Sequence, residues 1–319
     1  LTPSVVYLDG SAALVGEAAK AGAAIDATQA AMFVKRDMGC AAYSRSVGGR
    51  QFRPETLSAI ILRKLKQDAE KRIGPISKAV ITVPAFFDDT RRKATEDAGR
   101  IAGLEVLDII HEPTAAALAY AVKSQGDESP SERFLEIPGG EMTVVVYDLG
   151  GGTFDVTVVR LRDKHFETIA TDGEVQLGGK DWDDKIAEHL AAEFEKKFHV
   201  NPLADGKRRH SLAALAEKSK ILLSSLQNAP VEISHQGHSV TGTLSRKQFE
   251  DLTVGLLTRT QLLIESVVTR QAKLDWSQID RVLLVGGSTR MPMVKRMLRE
   301  VTRQEPDDSL HPDQVVAHG

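Results

Sequence analysis

One stretch limits the folds open to this chain more than any other: residues 144–159, VVVYDLGGGTFDVTVV. Val, Tyr and Thr at this density form strands, and Gly150, Gly151 and Gly152 read as the turn that joins two of them. A tight hairpin needs only two permissive residues, so a third marks a loop that another group approaches closely. Successive bare backbone N–H groups can cradle phosphate oxygens, and Asp148 and Asp155 are placed to hold a hydrated cation beside them. A flexible hairpin flanked by two solvated acids is the plainer reading of the motif taken alone.

The rest of the chain alternates strand and helix, which argues for α/β layers. FRPETLSAIILRKLKQDAEKRIGP predicts a helix with Pro54 in its first turn, an apolar stripe at Leu57, Ile60, Ile61 and Leu65, and Gly74–Pro75 as its stop. KAVITVPAFF predicts a buried strand running into Pro84. Asp88 or Asp89 then caps a small-residue helix ending near Gly103. LEVLDII is a further strand, and PTAAALAYAV a close-packing helix. Residues 124–141, rich in Ser, Pro, Gly and acids, read as a surface loop at a domain boundary. Beyond the glycine hairpin come a strand, a second glycine loop and a long amphipathic helix carrying Trp182, Ile186, Leu190 and Phe194. A helix over 211–227 follows, with Leu215, Leu222 and Leu226 on its core side. Two short strands lead to a helix opened by the capping box Ser245–Gln248.

Length and composition are compatible with this layout. A chain of 319 residues suggests about two domains, and 42% hydrophobic with 27% charged residues is ordinary for a globular protein. A net charge of −3 gives no reason to expect nucleic acid or an anionic membrane as partner. The single cysteine, Cys40, excludes an intrachain disulfide framework and suits a reducing cytoplasm. No apolar run approaches the ~18 residues of a membrane span.

Other candidate residues are each ambiguous alone. LLVGGSTR puts Gly286 and Gly287 where a strand hands over to a helix, with Ser288 and Thr289 available as caps. Such a turn is an anion site through its free N–H groups, or an ordinary connection. Neither glycine loop carries the lysine of a Walker A motif, and neither fits G-x-G-x-x-G. Glu217, Lys220 and Ser224 share one helical face, which is usually just solvated. Lys35 is a surface charge or a phosphate-directed cation. Glu112, at a strand end before Pro113, faces a ligand crevice or simply starts a helix with a favourable charge. The nine histidines are scattered, with none of the ligand spacing of a zinc site.

In order and spacing, TVPAFFDDTRRKATEDAGRIAGLEVLDIIHEPTAAALAY, VYDLGGGTFDVTVV, LGGKDWD, AEKSKILLSSLQ and LVGGSTRMPMV resemble the nucleotide-binding domain of the 70-kDa heat-shock chaperones, the DnaK-like family. The similarity runs from Thr2-Pro3-Ser4 to the end of the chain. It implies a two-lobed actin-like/sugar-kinase ATPase fold with ribonuclease H-like lobes. The first lobe would span 1–123, completed by 307–319, and the second 142–306. ATP or ADP with Mg²⁺, and K⁺, would lie in the cleft. Gly150, Gly151, Gly152 and Thr153 match a phosphate loop, with Thr153 near the terminal phosphates. Asp148 and Asp155 match acids that position magnesium-bound water and potassium, and Glu112 a glutamate that orders such water. Lys35 matches the lysine that orients the attacking water and stabilises phosphoryl charge. Glu217, Lys220 and Ser224, with Gly286, Gly287, Ser288 and Arg290, match the adenosine pocket and the glycine turn beside it. Gly179 and Asp313 match positions near the ribose and the cleft. Pro84 and Arg92 match a pair that relays nucleotide state to a substrate domain.

The resemblance has departures. It implies a first phosphate hairpin upstream of Leu1, and a final helix, linker and substrate-binding domain after Gly319. The outer region around AAYSRSVGGRQF is short. His111 replaces Asn, Phe86 Tyr, His311 Asn, and Ile221 stands where animal members have an adenine-stacking Arg. The expected function is MgATP hydrolysis coupled to gripping unfolded polypeptide, assisted by a J-domain co-chaperone and a nucleotide exchange factor. With one hairpin, this chain itself is expected to turn ATP over weakly or not at all. The alternatives are a non-catalytic nucleotide sensor and a sugar or acetate kinase of the same superfamily.

Overall fold

The computed structural model describes residues 1–10, 12–123, 140–162 and 165–319; residues 124–139, most of the boundary loop read from the sequence, lie outside the described residues. At its centre is a four-stranded mixed sheet of β6 (Glu141–Leu149), β7 (Phe154–Arg162), β8 (His165–Glu174) and β11 (Arg281–Val285), in the order β11-β6-β7-β8. The three consecutive strands are antiparallel, and β11 runs parallel to β6. Both faces are covered, which is why β6 reads as an unbroken apolar run rather than an alternation. Val145, Tyr147 and Leu149 face a large core shared with α5 (Gly179–Phe198), α6 (Gly206–Ser225), α7 (Arg246–Glu265) and α8 (Pro292–Thr302). Val144 and Val146 face the opposite way, onto the alanines of α4 (Glu112–Lys123) and onto α9 (Val315–His318). Trp182, Ile186, Leu190 and Phe194 form the buried stripe of α5, as their spacing predicts.

Two smaller sheets complete this side of the molecule. β1 (Val5–Asp9) pairs with β2 (Ala12–Val15) and β3 (Ala30–Met32), all antiparallel, with α1 (Glu17–Ile25) and α2 (Pro54–Ile73) packed on them. Pro54 occupies the first turn of α2, and Gly74 ends the helix with φ 84°, a conformation that favours glycine. β4 (Lys78–Val83) and β5 (Glu105–His111) are parallel, joined through α3 (Asp89–Ile101). Asp88 caps α3, accepting from the Arg91 N–H at 2.9 Å. A Cβ on Gly99 would lie 2.5 Å from Val106 and 2.7 Å from Ile81, so α3 rests directly on the strands. A fourth sheet, of β9 (Asn228–His235) and β10 (His238–Ser245), is a hairpin of two eight-residue strands, longer than their sequence suggests. Ser245 and Gln248 then make the expected capping box of α7.

Three details differ from the sequence reading. The β4–β5 pair is only partly covered, leaving Val80 51% and Leu107 57% exposed, so β4 is not a buried strand. Leu65 of α2 is exposed, although Leu57, Ile60 and Ile61 of the same stripe pack into a core beside β1 and β3. α6 starts at Gly206 and buries Leu212, Ala216, Ser219 and Leu223, while Leu226 lies beyond its end in solvent.

Candidate functional site

The site forms where β6 and β11 end in parallel, a common position for ligand crevices in α/β sheets. The β6–β7 loop, Gly150 to Thr153, closes with a hydrogen bond from Gly150 N to the Thr153 carbonyl at 3.1 Å. The carbonyl of each of its three glycines is held. Gly150 O accepts from Gly179 N at 2.9 Å and from the Ser288 hydroxyl at 3.0 Å. Gly151 O accepts from Lys180 N at 2.9 Å, and Gly152 O from Arg36 Nε at 2.7 Å. A trans peptide points its N–H opposite to its C=O. The N–H groups of Gly151, Gly152 and Thr153 therefore face away from these contacts, and the first two have no partner among the described residues. The α5 N-terminus fits against the loop so closely that a Cβ on Gly178 would lie 2.5–2.8 Å from Gly152 backbone atoms.

Asp148 and Asp155 sit directly opposite each other on β6 and β7, just outside the loop. Both are buried, Asp155 to 2% exposure, and neither Asp155 carboxylate oxygen has a hydrogen-bond partner among the described residues. Burial, then the charge of Glu112, push the Asp148 pKa up to about 7, with Lys35 pulling the other way. Burial, then Asp148 and Glu112, raise Asp155 well above the carboxylate range. Two facing buried acids, one of them with both oxygens unpartnered, fit a cation. No three His, Cys, Asp or Glu side chains among the described residues are grouped to ligate an ion directly, so the pair suits a hydrated ion such as Mg²⁺ that keeps its water.

Lys35 approaches from the turn Val34–Asp37, entered through Phe33 at φ 57°, a left-handed conformation that costs a non-glycine residue on the order of 1–3 kcal/mol. Its ammonium donates to both carboxylate oxygens of Glu112, the first residue of α4, at 2.8 and 3.0 Å. Burial works against the charged lysine, but the charge and hydrogen bonds of Glu112, backed by Asp155 and Asp148, outweigh it and hold the pKa above the ordinary lysine value. The site thus joins a fixed positive charge, three acids and a row of outward amides.

A second group adjoins the loop. Lys220 donates to Gly179 O at 2.9 Å and pairs with Asp183 at 2.8 Å. Burial, partly offset by Lys220, raises Asp183 to about 6. Glu217 pairs with Lys20 of α1 at 2.6 Å, and Ser224 bonds back to Lys220 O, so of these two only Ser224 is linked to Lys220. Gly286 (φ 85°) donates to Pro312 O, and Gly287 leaves space that a Cβ would take 2.5 Å from Asp313 Oδ1. Arg290 pairs with Asp313 at 2.9 Å. Ser288 and Thr289 do not cap a helix, as their position suggests. A 3₁₀ turn over Gly287–Arg290 intervenes, α8 starts at Pro292, and the Ser288 hydroxyl goes to the hairpin instead.

Arg92, in α3, donates to His111 Nε2 at 2.8 Å and to Ile109 O at 3.0 Å. Burial and then the Arg92 charge lower the His111 pKa, keeping it a neutral acceptor. Sequence reading gave no role to Arg36, Asp181, Asp183 or Lys20. Only Asp181 carries a local signal, three residues after Gly178, whose N–H it accepts at 2.8 Å. No helix among the described residues is long and apolar enough to cross a membrane. A family model described as Hsp70 protein matches residues 1–319.

Proposed function

Because the chain belongs to the Hsp70 family of chaperone ATPases, with its actin-like ATPase fold, we propose that it binds ATP and ADP at the Gly150–Thr153 hairpin, which forms part of a hydrolytic cleft. One observation carries the reading: a loop whose three carbonyls are tied down, so that its amides face outward beside two buried acids. Such a loop needs no reorganisation to accept phosphate oxygens. Lys35, fixed by Glu112, would orient the attacking water and place positive charge at the transferred phosphoryl group, and Glu112 would help order metal-bound water. Asp148 and Asp155 would hold the shell of Mg²⁺, with K⁺ as a further cation, and Mg²⁺ when bound would neutralise phosphate charge. Gly179, Glu217, Lys220, Ser224, Gly286, Gly287, Ser288, Arg290 and Asp313 would surround the nucleoside.

In the same reading, residues 1–123 with 307–319 form one lobe and 142–306 the other. The packing of α9 on α4 supports joining the last residues to the first lobe. The chaperone cycle would engage unfolded polypeptide, a J-domain co-chaperone and an exchange factor, in a reducing cytoplasm to which a single cysteine is suited.

Calorimetric titration with MgADP tests the proposal. Binding should appear, and should weaken at least tenfold in Asp155→Asn and on chelation of Mg²⁺. A chain that is folded by circular dichroism yet takes up no MgADP would refute it.

A further inference from the structure

The residue beside Lys35 ties down one of the three hairpin carbonyls and makes further contacts that the proposed function does not use. Arg36 shares the Val34–Asp37 turn with Lys35, but its side chain runs toward the hairpin and is only 9% exposed. Nε donates to Gly152 O at 2.7 Å. Nη2 pairs with Asp181 Oδ2 at 2.6 Å, while Nη1 reaches Asp181 Oδ1 at 3.4 Å and Gln176 Oε1 at 3.3 Å. Asp181 in turn accepts the Gly178 N–H at the start of α5. One guanidinium therefore joins three parts: the turn that carries Lys35, the glycine hairpin, and the helix terminus that holds the other two hairpin carbonyls.

We infer that Arg36 is a positioning residue for phosphate, locking the Gly152–Thr153 peptide with its N–H outward and fixing Lys35 relative to that amide. The inference rests on nucleotide binding at the hairpin. Its physical basis is the fork of the guanidinium, which serves a carbonyl and a carboxylate at once in a rigid plane. A lysine at this position keeps the charge but has one nitrogen, which cannot reproduce both directions. Burying the cation is tolerable because Asp181 pairs with it, and breaking that pair leaves the remaining charge uncompensated.

The contribution should be specific to phosphate. Calorimetric or competition affinities for adenosine and MgADP separate it from general loosening of the fold. In Arg36→Lys and in Asp181→Asn, MgADP affinity should fall at least tenfold while adenosine affinity stays within twofold of the parent chain. The double variant should bind MgADP no worse than the weaker single variant, since both remove one linkage. In Arg36→Ala, added guanidinium should restore part of the MgADP affinity without changing that for adenosine. Equal losses for adenosine and MgADP, or unchanged MgADP affinity in the folded variants, would overturn the role of Arg36. If the parent chain itself binds MgADP no better than adenosine, it is the hairpin reading that fails, and the inference falls with it.

Discussion

Asp148 shows how much of a residue's chemistry is local and how much is not. Its place opposite Asp155 is legible in DLGGGTFD, because a four-residue loop after Leu149 brings the two acids into register. Its pKa of about 7 is not legible, since it depends on burial and on Glu112 and Lys35, which come from distant segments. The consequence is a pH dependence of stability. A carboxyl held near 7 in the fold and near 3.8 when unfolded binds its proton more tightly in the folded chain. The stability it contributes is fully present below about pH 4 and is lost as pH rises through about 7, a loss on the order of a few kcal/mol. Asp155 is shifted the same way and adds to it. Without nucleotide, Asp148→Asn should therefore melt above the parent chain at pH 8, with the gap closing toward pH 4. Thermal melts across that range decide the matter, and a gap independent of pH would show that Asp148 is not a buried, charge-averse acid. Arg36 illustrates the opposite limit: nothing in its neighbours along the chain announces that it will bond a glycine carbonyl more than a hundred residues away.

Elements were most legible where a single residue type sets the boundary. Pro54 starts α2, Asp88 caps α3, Ser245 and Gln248 open α7, and the apolar stripe of α5 contains large side chains on one face only. α6 failed that test for a physical reason. It has leucines at 212, 215, 222 and 223, with Leu226 just past its end, so more than one face is apolar and periodicity alone does not choose between them. Packing against α5 and β9 chooses, and the buried line is Leu212, Ala216, Ser219 and Leu223. Small Ser219, 1% exposed, lets the helix sit close. Leu223→Ala should cost about 2–5 kcal/mol, whereas Leu226→Ala, at an exposed site, should change stability by about 0.5 kcal/mol or less. Chemical denaturation of the two variants gives the comparison directly, and equal midpoints would return the core face of α6 to the Leu226 side.

At the scale of the whole molecule, the central sheet and the β4–β5 pair are built to different standards. β6 and β7 have neighbours on both edges and helices across the sheet's two faces, so their amides can exchange only when much of the core opens. β4 and β5 have one another, α3 and some contact with α4, with Val80 and Leu107 left in solvent. The sequence of β4 does not reveal this, because KAVITV is equally apolar whether it is partly or fully covered. The links from the Lys20 and Lys35–Arg36 segments to the central sheet and its helices include charged pairs, Lys20 to Glu217 and Arg36 to Asp181, the first of them exposed enough to contribute about 1 kcal/mol or less. These features order the opening events. Hydrogen exchange followed by mass spectrometry should find peptides over β4–β5 exchanging first, through local opening. Peptides over 144–147 and 156–159 should exchange last, at rates that track global unfolding in added denaturant. Protection of β4–β5 as long-lived as that of β6–β7 would mean that the partly covered pair is held by more than α3, α4 and its own ladder. The difference in cover would then have no bearing on where this molecule yields.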